Sequence, residues 1–85
     1  ALVHHLVFKQ GVHFRSIARI VDMYSRRRSI VEFVPRDDQY VRKWIRPHHD
    51  WYTLENFIDS LRKHFQSIEV YDSFPEPRKL LLCER

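Results

Sequence analysis

The first eight residues, ALVHHLVF, are apolar except for His4 and His5. A short apolar run of this kind, with Gly11 soon after it, predicts a buried strand ending at a loop. The period then changes. Phe14, Ile17, Ala18, Val21 and Tyr24 recur at the three-to-four-residue spacing of one helix face, so a helix is expected from Val12 onward. Ile30, Val31, Phe33 and Val34 form a β-branched and aromatic run broken only by Glu32, the pattern of a strand covered on both faces and stopped by Pro35.

The next segment alternates between caps and breakers. Asp37 or Asp38 can cap a short helix that turns Val41, Trp44 and Ile45 inward, with Pro47 ending it. PHHDWYT reads as a loop. Thr53 is a good N-cap, Glu55 suits the first turn, and Tyr52 and Phe57 have the spacing of a hydrophobic staple. Leu54, Phe57, Ile58, Leu61 and Phe65 continue that amphipathic helix. From Ile68 the period drops to two, through Val70, Asp72 and Phe74, which predicts a strand. PEPR, Pro75 to Arg78, must turn, and KLLLCE returns as an antiparallel strand. The order β-α-β-α-α-β-β leads to the expectation of an α/β fold: one domain with a mostly parallel sheet and helices against it.

Composition narrows the choice of chemistry. Eighty-five residues hold one small domain, and 44% hydrophobic residues with 14% aromatics are enough for a packed core. A single glycine excludes a glycine-rich phosphate loop in this chain. One cysteine, Cys83, excludes an internal disulfide and a cysteine-based zinc site, and suits a reducing cytoplasm. No apolar run approaches the roughly 20 residues that span a bilayer, so no membrane is expected. The net charge of +4 raises the case for an anionic partner. Arg26, Arg27 and Arg28 follow a predicted helix, however, where cations complement the negative end of the dipole.

The order ALVHHL, helix, IVEFVPRDD, short helix, WYTLENFIDSLRKHF and IEVYDSFPEPRKLLLCER resembles the C-terminal half of a class I S-adenosylmethionine-dependent methyltransferase, in particular the bacterial, nodulation-type branch. The resemblance covers nearly the whole chain. It implies a partial Rossmann-like sheet, with strands in the order 4-5-7-6 by the family's count and the last strand antiparallel. It also implies that a glycine-rich N-terminal half is missing, so that the fragment is silent while its parent methylates an unidentified acceptor. Ala1, Leu2 and Val3 would lie near the S-adenosylmethionine cofactor at the end of strand four. His4 or His5 would be the candidate catalytic base of the parent, since an imidazole with a pKa near 6.5 suits proton removal at neutral pH.

Other constellations carry less. Adjacent histidines on a strand diverge, and His4, His5, His13, His48 and His49 match no metal-ligand spacing. Asp37 and Asp38 are better read as a cap than as an acid–base pair. Trp44, Trp51 and Tyr52 could form a stacking platform, although packing roles come first. Cys83 reads as a small core hydrophobe. Beside the methyltransferase stand two other classes, a small basic nucleic-acid-binding domain and an interaction module without chemistry. The partners expected are the missing half, the methyl acceptor, or a second copy paired along the exposed edge of the first strand.

Overall fold

The first apolar run is a helix, not a strand. The computed structural model describes residues 2–85, and its elements are α1 (Leu2–Gln10), α2 (Phe14–Tyr24), β1 (Arg28–Phe33), α3 (Gln39–Trp44), a 3₁₀ turn at Pro47–His49, α4 (Leu54–Arg62), β2 (Ser67–Asp72) and β3 (Lys79–Glu84). In α1 the buried side chains are Val3, His4 and Val7, spaced one and four residues apart as on a helix face. Gly11 ends the helix at φ +68°, donating its N–H to the Val7 carbonyl at 3.1 Å. Only glycine takes that left-handed conformation without strain. A run of this length has no decisive period, which is why a strand could be read there.

The sheet has three strands in the order β1-β3-β2, and both pairings are antiparallel. The Rossmann-like α/β class is therefore corrected to a three-stranded antiparallel sheet carrying helices. The expected fourth, parallel strand is α1. Of the expected order only the seat of the closing strand, between the other two and antiparallel to both, is found. The short turn through Pro75–Arg78 brings β3 back beside β2, and the Ser73 N–H donates to the Arg78 carbonyl at 2.9 Å to close it.

One face of the sheet holds the core. Val31, Phe33, Leu81 and Cys83 are buried, and Val31 opposes Leu81 in the register. Phe14 of α2, Phe33 of β1, Phe57 of α4 and Tyr52 meet with ring centroids 5.0–6.0 Å apart. Tyr52 is fully buried and its hydroxyl donates to the Val34 carbonyl at 2.6 Å. Burial raises the pKa of that phenol further above its ordinary value, with Asp38 adding to the shift. It remains a neutral donor. Cys83 is likewise buried, and burial pushes its thiol up to about 11.

The other face of β1 is not covered as expected. Ile30 is 70% exposed. The caps are where the sequence puts them: Asp38 Oδ2 accepts from the Tyr40 N–H at 2.9 Å, and Thr53 Oγ1 accepts from the Asn56 N–H at 3.1 Å. Among the described residues, no helix is long and apolar enough to cross a membrane.

Candidate interaction surfaces

Two places stand out from the packed core, the open edge of β1 and a cluster of histidines and aromatic rings between α1 and α3.

At the edge, the hydrogen-bond alternation can be counted from the strand end. The Arg85 N–H donates to the Arg27 carbonyl at 3.1 Å. Continuing the Arg28–Glu84 register one step outward sets these residues opposite one another, so theirs is a hydrogen-bonded pair. In an antiparallel ladder such pairs alternate with non-bonded ones. Ser29, Val31 and Phe33 therefore turn their peptide groups toward β3. Arg28 and Ile30 turn theirs toward the edge, where no strand lies among the described residues. Alongside runs a groove of about 390 Å³, with Leu6 of α1 and Ile17, Ile20 and Val21 of α2 on one side and Ile30 and Val31 on the other. Ile20 is 44% exposed. The chain that leads into Ser29, which lines the groove, carries the exposed Arg26 and Arg27. Arg28 itself reaches Glu84 at 3.6 Å.

The second place holds the histidines singled out by sequence. On a helix, neighbouring residues point about 100° apart, and His4 is 2% exposed while His5 faces solvent. The His4 ring stacks on Trp44 at 5.8 Å and lies 4.3 Å from His5. Its Nδ1 is buried with no hydrogen-bond partner among the described residues. Burial lowers its pKa to about 4, helped by His5 and Arg78 and opposed by Asp38. Thus His4 is held neutral. Phe8 connects Trp44, at 6.5 Å, to His49 at 4.8 Å, and Lys9 Nζ sits 4.4 Å over the Trp44 ring.

The remaining sequence candidates separate. Ala1 lies outside the described residues, as does the Leu2 side chain. Val3 is buried in the core and borders the groove. Asp38 caps α3 and pairs with Arg78 at 3.4 Å, while Asp37 is exposed. His13 stacks on Trp51 at 4.2 Å at the start of α2, away from the His4 ring. Among the described residues no three His, Cys, Asp or Glu side chains lie together as a metal site would need. Sequence reasoning missed Arg36, which donates to the carbonyls of Tyr52, His49 and Asp50 at 3.0–3.4 Å and holds the loop after the 3₁₀ turn. A lone arginine before two aspartates carries no signal of that reach.

No family model matches this chain, and neither the curated proteins nor the solved structures contain a match to it. With α1 helical and the sheet wholly antiparallel, the methyltransferase resemblance is overturned. The reading of the chain as part of a methyl-transferring enzyme goes with it.

Proposed function

We propose that the domain is an interaction module that accepts an extended, apolar segment of another protein along the edge of β1. The observation that carries this reading is the open edge itself. Unpaired strand edges are templates for pairing, and this one adjoins an apolar groove. An added strand would take its backbone hydrogen bonds from Arg28 and Ile30. Alternate side chains would enter the groove between Ile20 and Ile30, the division of labour seen in strand addition generally. Arg26, Arg27 and Arg28 at one end favour an acidic residue in that part of the segment. The opposite edge, β2, exposes Val70 and Tyr71 but sets them between the exposed charges Glu69 and Asp72, and charge is how free edges are commonly kept unpaired.

The test is a titration with a synthetic peptide of alternating valine and threonine ending in two glutamates, followed by amide spectra of the labelled domain. The Arg28 and Ile30 amides should become protected, and Ile30→Asp should abolish the effect while leaving the fold intact. Protection confined to β2, no binding, or pairing with a second copy in place of the peptide would overturn the proposal.

A further inference from the structure

Arg28, Arg62, Arg78, Lys79 and Arg85 each form an ion pair. The other ten, Lys9, Arg15, Arg19, Arg42, Lys43 and Arg46 among them, form none among the described residues. Lys9, Arg15, Arg19, Arg42, Lys43 and Arg46 sit in the two longest stretches of sequence without a carboxylate, residues 1–21 and 39–49. Folding brings these stretches together, because α1 meets α3 and the 3₁₀ turn through His4, His5, Phe8, Trp44 and His49. Like charges gathered without counter-ions do not stabilise a fold.

Aromatic rings are interleaved among these cations at the surface. Tyr40 is 47% exposed and lies 6.5 Å from Trp44, which is half-buried. Lys9 lies over the Trp44 ring and exposed His5 tilts against it at 5.4 Å. Lys43, exposed on α3, is three residues from Tyr40 and so shares its side of the helix. His49, in the same cluster, is held below its ordinary pKa by burial and by neighbouring His48 and Arg46, as expected in a region of positive potential.

We infer that the face formed by His5, Lys9, Tyr40, Lys43 and the edge of Trp44 binds single-stranded nucleic acid, the cations taking phosphates and the exposed Tyr40 and His5 rings taking unstacked bases. Phosphate neutralisation supplies affinity, and flat aromatic faces accept any base that is free of a duplex. A duplex keeps its bases stacked inside and offers the rings nothing. This surface lies on the outer side of α1 and α3, while Leu6 turns into the groove beside β1, so the inference stands independently of strand capture.

Fluorescence anisotropy with a labelled oligothymidylate of about 12 nucleotides, within the site size of small single-strand binders, tests it. Affinity should fall with salt by about 0.7 log units per log unit of salt for each phosphate contacted. Lys9→Glu with Lys43→Glu should weaken binding about tenfold or more, and Tyr40→Leu should weaken it without changing the salt slope. Arg62→Glu with Lys63→Glu on α4 changes net charge equally and should have less than about a twofold effect. Equal losses from both charge reversals would show attraction by net charge alone and overturn the site. So would equal affinity for a duplex, or no binding at low salt.

Discussion

His4 shows how one residue can set a pH limit on a small fold. Its imidazole is buried, neutral, and lacks a hydrogen bond to Nδ1 among the described residues. Its pKa is about 4 in the folded chain against an ordinary 6.5. As pH falls, the unfolded chain takes up this proton first, so the group favours unfolding. Its contribution is fully intact above about pH 6.5 and is lost progressively between about 6.5 and 4. At roughly 1.4 kcal/mol per unit, the loss amounts to about 3 kcal/mol. Urea unfolding midpoints should therefore drop between pH 7 and pH 4.5, and His4→Leu should remove most of that drop. It should also raise stability at pH 7 by about 1 kcal/mol, because the unpaired nitrogen goes with the side chain. An unchanged pH slope in His4→Leu would place the titrating group elsewhere.

At the scale of elements, β1 is a strand with two different sides. Its Ser29, Val31 and Phe33 peptide groups are committed to β3, whereas those of Arg28 and Ile30 face the open edge. Native-state amide exchange should therefore alternate along it, with Val31 and Phe33 slow and Ile30 faster by orders of magnitude. Continuous protection from Arg28 to Phe33 in a monomer would mean that something covers the edge. The elements also differ in how plainly the sequence announces them. α2 and α4 are strongly amphipathic, with Phe14, Ile17, Ala18 and Phe57, Leu61 buried at helical spacing. Their caps, and the turn between β2 and β3, follow from side-chain and proline chemistry that acts within a few residues. Nothing so local distinguishes α1 from a strand. Its identity rests on which of its residues find burial, and that includes a histidine no periodicity argument would place inside.

For the whole molecule, the core is small and shared. Phe14, Phe33, Tyr52 and Phe57 come from four separate segments and meet at one place, so removing one ring loosens them all. Phe57→Ala should cost about 3 to 5 kcal/mol. A domain of this size has a net stability of only about 5 kcal/mol. The variant should be largely unfolded near 37 °C, as far-UV circular dichroism would show, and a cooperative transition at an unchanged temperature would contradict a single shared core.

The sequence by itself determined the helices α2, α3 and α4, the three strands, the capping residues and the burial of Cys83, because each depends on contacts or periodicities spanning a few neighbours. It also held the two longest carboxylate-free stretches in plain view. Only the tertiary structure decided that α1 is a helix, that the sheet ends at β1 with one flank open, and that residues 39–49 lie against α1. Those outcomes depend on which distant side chains share a core, and the packing free energy that selects among them is not encoded in any short window of sequence.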